Sequence, residues 1–313
     1  MGCPARRSLC ARPRGAAVLM ALIVVALVTA AASAILNRMS VWTRQTELVE
    51  DATRARLALT AGVAFASTVL RDDEARSTVD FLGEPWATRL PATEVEGAEM
   101  AGQLYDQQGL FNLNNIVRGG EVDAAGFAKF TKLLDILNLP EELAESLVDW
   151  LDADSDRTGR KGAEDDDYRD ANPPRRAGNR LLADANELLQ IRGFTPEVVA
   201  KLRPFVAALP GITAINVNTA PAEVLALAVD GLTLGEARVL AAERDRAYFK
   251  DLADFRARLP RRDLTVVQNW VSVTSQYFLL RAATRYGRAR VFAQVMLHRA
   301  PQKFPVVVWQ RLE

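Results

Sequence analysis

The apolar positions of the chain fall into four regimes. From Ala16 to Leu36 they form an uncharged run. About 21 residues at a rise of 1.5 Å span about 30 Å, the thickness of a bilayer core. From Asn37 to about residue 76 the spacing becomes helical, through Trp42, Leu48, Val49, Leu57, Leu59, Val63, Phe65 and Val69. No Gly or Pro lies between Ala16 and Thr60. The pattern therefore predicts one long helix leaving the membrane, with Gly62 its weak point. Gly83, Pro85, Pro91 and Gly97 mark a looser segment. Gln103 to Asn114 alternates on both sides of Gly109 and predicts a β-hairpin or bulged strand.

The third regime is helical. Residues 124–152 read as helix broken at Asn138-Leu139-Pro140, with Pro140 in the first turn of a new helix to Leu151. Helices are predicted again at about 182–192, 195–208, 220–229, 233–246 and 251–259. Between them Asp152 to Pro174, rich in Asp, Gly and Pro, reads as a loop. The last regime has strand period: Trp270–Ser275, Tyr277–Tyr286, Ala289–Arg299 and Phe304–Leu312, a terminal antiparallel meander of about four strands. A helical block between two strand-bearing segments predicts an α+β fold carrying a large all-α insertion. The expected divisions are a basic leader at 1–15 and a membrane helix at 16–36. A body at 37–110 and 263–313 and an inserted helical domain at 111–262 complete the chain.

Charge changes this picture at one end. Lys+Arg and Asp+Glu number 39 each. Arg6, Arg7, Arg12 and Arg14 are the only charged residues before position 16, so everything beyond them is mildly acidic. That balance argues against a generally basic nucleic-acid binder. Cys3 and Cys10 are the only cysteines, which excludes a disulfide framework or Cys-based metal site in the remainder. The single histidine, His298, excludes an HExxH zinc site and sits at a strand end with no role assigned.

The four arginines place the N-terminus in the cytoplasm and the chain from Asn37 onward outside the inner membrane, as a single-pass protein. A secretory signal peptide cleaved near Ala30–Ala34 is one reading of this end. The length of the apolar run and the continuing helix count against it. Arg14-Gly15 followed by an uncharged helix resembles the processing site of type IV pilin-like proteins. Their prepilin peptidase cuts after Gly and leaves the helix attached, so Gly15 and Ala16 would flank the cut. Two positions depart from that pattern: Ala16 where Phe is common, and Met20 where the fifth mature residue is usually Glu.

The sharpest chemical feature is the acidic loop at 152–170: Asp152, Asp154, Asp156, Glu164, Asp165, Asp166, Asp167 and Asp170. Alternate carboxylates gather hard oxygens around one point, as calcium requires. Arg157 in place of Gly excludes an EF-hand. A solvated charge cluster relieved by Arg157, Arg160, Lys161 and Arg169 is the alternative. Asp149 and Trp150 are expected to serve the helix end and the core. Neither a GxSxG nor a Walker motif occurs, and a loop of mutually repelling acids is poorly preorganised for catalysis, so no enzyme is expected. Two segments, Leu189–Leu202 and Ile215–Leu240, resemble helix-hairpin-helix (SAM-like) units, a module type that often holds DNA phosphates at a helix N-terminus. Both lack the usual Gly-hydrophobic-Gly hairpin, and Asp230 would repel phosphate. A pilus-linked DNA-binding protein is therefore the rival reading, and no nucleic acid is expected.

Several runs occur in the order of one family. They are the Gly15-Ala16 junction, FNLNN at Phe111–Asn115, WLDADSD at Trp150–Asp156 and GAEDDDY at Gly162–Tyr168. NRLLADANELLQIRG at Asn179–Gly193 and INVNTAPAEVL at Ile215–Leu225 follow. Together they resemble the minor pseudopilin K family of type II secretion, in which the absent Glu is characteristic. The resemblance implies a pseudopilin fold with an inserted α-domain and one or two calcium ions. It implies a complex with minor pseudopilins I and J that caps the pseudopilus tip and starts assembly, for export of folded periplasmic proteins across the outer membrane. Other pseudopilus subunits, inner-membrane secretion components and prepilin peptidase are the remaining implied partners. Asp152, Asp154, Asp156, Glu164, Asp165 and Asp167 are the candidate calcium ligands by position and oxygen chemistry.

Overall fold

The computed structural model describes residues 14–169 and 174–312. Most of the expected leader, together with Asp170, lies outside them. Helix α1 runs unbroken over Arg14–Glu74. It contains a segment long and apolar enough to cross a membrane. Gly62 does not break it. A side-chain carbon there would stand 3.5 Å from the Met100 methyl, so the glycine lies against the sheet in ordinary contact.

The sheet has five antiparallel strands in spatial order β1-β2-β3-β4-β5: Leu90–Val95, Ala98–Asp106, Tyr277–Tyr286, Ala289–His298 and Val306–Leu312. Alternation decides its two faces. Leu104, Phe278, Leu280, Val291, Val295 and Leu297 meet Ala55, Leu59, Ala66 and Leu70 of α1. The opposite face contributes Leu279 and Met296 to a small cluster with Ala207 and Leu209.

Between β2 and β3 lies the helical block. It comprises α2 (Ala124–Ile136), α3 (Leu143–Leu151), α4 (Asp165–Arg169), α5 (Pro196–Leu202), α6 (Ala222–Ala228), α7 (Leu234–Arg246) and α8 (Leu252–Ala257). Its core joins Phe111, Phe130, Leu147, Trp150, Leu225, Phe249 and Trp270. Local chemistry sets the helix starts. Asp123, Thr195, Thr233 and Asp251 each accept a backbone N–H of the first turn, a cap that contributes about 1 kcal/mol. Thr233 and Glu236 complete a reciprocal capping box.

Four local expectations are corrected. Gln103–Asn114 is not a hairpin. The chain leaves the sheet at Asp106, whose carboxylate accepts the Gln108 N–H at 2.8 Å, and Phe111–Asn112 then pairs in parallel with Val206–Ala207. The looser segment before it contains β1, joined to β2 through Glu96 and Gly97, both at positive φ. Pro91 and an exposed edge position hide this strand from pattern reading. Third, Val271–Ser272 does not join the main sheet but pairs in parallel with Ile215–Asn216. Finally, the acidic loop contains α4.

Candidate metal centre

The C-terminus of α3 aims its acids inward. Asp149 is 0% exposed, Asp152 2% and Glu164 5%. Single carboxylate oxygens of Asp152, Asp154 and Glu164 lie within 4.8 Å of one another. Asp149 Oδ1 accepts the Thr158 N–H at 2.8 Å, which folds the loop back over the helix end. Asp154 accepts the Asp156 N–H at 2.8 Å. A side-chain carbon at Gly162 would collide with Asp149 Oδ2, so glycine is what lets the loop close over the acids.

Four buried oxygens find no donor among the described residues: Asp149 Oδ2, Asp152 Oδ1 and both Glu164 oxygens. Buried carboxylates without partners are costly. The cost shows in their titration. Burial first, then the Asp154 and Asp149 charges, push Asp152 up to about 6. Burial, then the charges of Asp149, Asp152 and Asp154, push Glu164 up to about 7. Burial also raises Asp149.

The basic residues of the loop do not relieve these acids. Arg157 pairs with Asp167 at 2.8 Å, as does Arg192 at 2.7 Å, and Arg169 pairs with Asp166 at 2.9 Å. Arg176 lies 3.8 Å from Asp165, which also accepts the Ala177 N–H. Among the described residues, no cation pairs with Asp149, Asp152, Asp154 or Glu164. The loop thus sorts its carboxylates into two sets. Asp165, Asp166 and Asp167 are neutralised by arginine, and Asp167 also accepts the Glu164 N–H at 3.0 Å. Asp152, Asp154 and Glu164 converge. Asp156 contributes its backbone N–H to the turn, and its exposed carboxylate has no place among the converging oxygens. The converging donors are all hard oxygens, a set that fits calcium.

Asp149 is the residue that sequence reasoning misses. Its helix-end position masks it. The available signal was its spacing from Asp152, one helical turn, which sets both carboxylates on one side of α3.

A second acidic trio, Asp73, Asp80 and Glu84, is buried as well. Here Arg299 supplies the charge, at 2.9 Å from Asp73 and 2.6 Å from Asp80. Asp80 also accepts the Ser275 N–H, and its carbonyl accepts from Asn216. This network joins the end of α1 to the sheet and to the helical block.

Two family models, both described as type II secretion system protein K, match residues 109–211 and 215–274. The type II secretion system protein K of Pseudomonas aeruginosa is 32% identical, over 88% of this chain and 86% of its own length. The chain belongs to this family. Protein K of Klebsiella pneumoniae is 31% identical, over 95% of both chains. Among solved structures, a chain from the crystal structure of the GspK–GspI–GspJ complex of enterotoxigenic Escherichia coli matches with a TM-score of 0.75. Its identity is 25%, and the match covers 86% of this chain and 99% of that one. The protein is thus a minor pseudopilin of the type II secretion system, and the acidic loop lies inside the first matched region.

The Asn-rich runs of the family have a structural job in this member. Asn112 accepts the Leu209 N–H, Asn114 brackets Leu182 with two bonds, and Asn115 does the same to Thr213. Asn218 brackets Phe249. Each buried amide replaces a missing strand partner for an irregular segment. The α6–α7 hairpin turns at Gly231, with Asp230 held by Lys129 at 3.0 Å. Arg238 and Arg261 beside it pair with Glu223 and Glu236, so this hairpin offers neutralised side chains rather than a phosphate cradle.

Proposed function

We propose that this chain caps the tip of the pseudopilus, in a complex with minor pseudopilins I and J, and starts its assembly. The likeness to a chain solved within a GspK–GspI–GspJ complex carries this reading. Two features of this chain support the tip position. Met20 lacks the carboxylate with which an incoming pilin subunit would neutralise its neighbour's amine in lipid. The helical block also adds bulk that obstructs a subunit stacking above it. The chain is anchored by α1 in the inner membrane, N-terminus in the cytoplasm and body in the periplasm, after cleavage between Gly15 and Ala16. It divides into a pseudopilin body and an inserted helical domain. Its role is structural rather than catalytic: Asp149, Asp152 and Glu164 are buried at 0–5% exposure, and of the converging acids Asp154 alone is exposed.

Calcium is the cofactor of this reading, held by Asp152, Asp154 and Glu164 with Asp149 behind them. It would neutralise the converged carboxylates and fix the loop against α3.

Co-purification tests the assembly. The full chain, extracted in detergent with I and J from the same organism, is expected to run as a 1:1:1 complex by size exclusion with light scattering. A chain that stays alone, or that is found distributed along the pseudopilus shaft, overturns the tip position. A pH series tests the metal. Asp152 and Glu164 are raised above their ordinary values, so in chelator they contribute stability that is full below the ordinary carboxylate range of about 4 and is lost as pH rises through about 6 and about 7. Calcium competes with those protons. Its affinity is therefore expected to fall as pH is lowered from 8 to 6, measured by titration calorimetry, and a flat profile would remove these residues from the site.

A further inference from the structure

Two arginines meet on Asp167, and they come from different places. Arg157 belongs to the acidic loop and bonds Oδ2. Arg192 belongs to the turn that follows the short helix Ala185–Gln190, and it bonds Oδ1 at 2.7 Å. Asp167 passes this hold on, because its Oδ2 also accepts the Glu164 N–H at 3.0 Å. An exposed ion pair by itself contributes little. This one differs at its acidic end. The Arg192 side chain is 56% exposed, but that of Asp167 is only 13% exposed and grips the backbone of a converging acid.

A second route runs from the same residue. The Arg192 N–H donates to the Tyr168 hydroxyl at 3.2 Å. Tyr168 is buried, and its ring meets Trp150 edge-on at 5.2 Å. Trp150 stands between Asp149 and Asp152 at the end of α3. The next residue in the turn, Gly193, has a φ of 88°. A side-chain carbon there would lie 2.8 Å from a Leu143 methyl at the start of α3, so the turn packs directly on the helix that carries the acids. Arg192 is thus connected to both sides of the converging set, to Glu164 through Asp167 and to the Asp149–Asp152 end through Tyr168.

The converging acids need such a hold. Asp149 Oδ2, Asp152 Oδ1 and both Glu164 oxygens are buried without donors among the described residues. Like charges so placed repel one another, and their own loop has no cation to spare for them. We propose that Arg192, from outside the acidic loop, is a positioning residue of the calcium site. It keeps Glu164 and the end of α3 in the arrangement that receives the ion. The coupling is reciprocal: an ion bound to the acids fixes the Arg192 turn in return. The role rests on calcium binding at Asp152, Asp154 and Glu164 as proposed above.

Calcium is titrated by calorimetry into the full chain in detergent, as parent, Arg192→Gln, Arg192→Lys and Arg261→Gln. Arg261 is the control, since it pairs with Glu236 at 2.8 Å in the α6–α7 hairpin and touches none of these acids. Arg192→Gln is expected to bind calcium about tenfold more weakly, as loss of an outer-shell partner does. Its melting temperature in chelator should match the parent's, because the pair it loses is half exposed at the arginine end. Arg192→Lys should recover part of the affinity by restoring the charge beside Asp167, and Arg261→Gln should bind as the parent does. Hydrogen exchange of the segment carrying Arg192, read by mass spectrometry, should be severalfold slower in calcium than in chelator. A parent chain that binds no calcium overturns the calcium reading and the positioning role with it. Where the parent binds, full affinity in Arg192→Gln, no recovery in Arg192→Lys or an equal loss in Arg261→Gln overturns the positioning role alone. So does exchange at the Arg192 turn that calcium leaves unchanged.

Discussion

Replacing Arg299 with leucine is expected to destabilise the folded chain by about 3–5 kcal/mol, the cost of leaving buried charges without their partner. Arg299 is 5% exposed. It donates to Asp73, to both oxygens of Asp80 and to the carbonyls of Leu70 and Ser275, and it lies over the Phe278 ring at 4.8 Å. These partners come from α1, from the segment before β1 and from the approach to β3, so one side chain ties three separate parts of the chain. Even with Arg299 present, burial pushes Asp80 up to about 7. Without it, Asp80 rises further and takes a proton. A carboxyl raised above its unfolded value contributes stability at low pH that is lost as pH rises through its folded value. The deficit of Arg299→Leu should therefore be larger at pH 8 than at pH 5. Urea unfolding at the two pH values measures this, and Arg299→Lys should recover part of the loss by restoring the charge. A leucine variant as stable as the parent at pH 8 would show that the network carries no weight.

Chelation is expected to lower the melting temperature of the helical block by about 5–10 °C. A ligand at a hundredfold excess over its Kd contributes about 2.7 kcal/mol, and each kcal/mol shifts a domain of this size by about 2–4 °C. The diagnostic variants are Asp152→Asn and Glu164→Gln. Each removes a negative charge from the converging set, so each should lose the response to calcium. In chelator, however, each should be at least as stable as the parent, because repulsion between buried carboxylates is relieved. A merely structural role for these side chains predicts the reverse. Magnesium should not substitute, since it dehydrates reluctantly and demands a tighter octahedron. Calorimetric scans in calcium, magnesium and chelator distinguish these outcomes. Identical melting in calcium and chelator would eliminate the metal centre.

Periodicity alone determined the long helix, the existence of the helical block and the three C-terminal strands, because each has a strong local pattern. An uncharged run without Gly or Pro has little alternative to helix, and ten-residue strands such as Tyr277–Tyr286 alternate clearly. Composition placed the acids in one loop. It could not sort them. Asp152, Asp154 and Asp167 differ little as residues, yet two converge and the third meets Arg157 and Arg192. That division depends on where α3 ends and how Thr158 and Gly162 fold the loop back, which is a matter of tertiary packing. The path of the chain after Asp106 was likewise undecided locally. A strand continuing through Gly109 satisfies the same alternation as the observed turn. Only the buried bonds from Asp106 to Asn216, Thr219 and Ser275, across more than a hundred residues of sequence, choose between them. The same reason hid the joint at Arg299. Its partners at Asp73 and Asp80 are 226 and 219 residues away, and no local pattern reports a pairing made only when the sheet closes on α1.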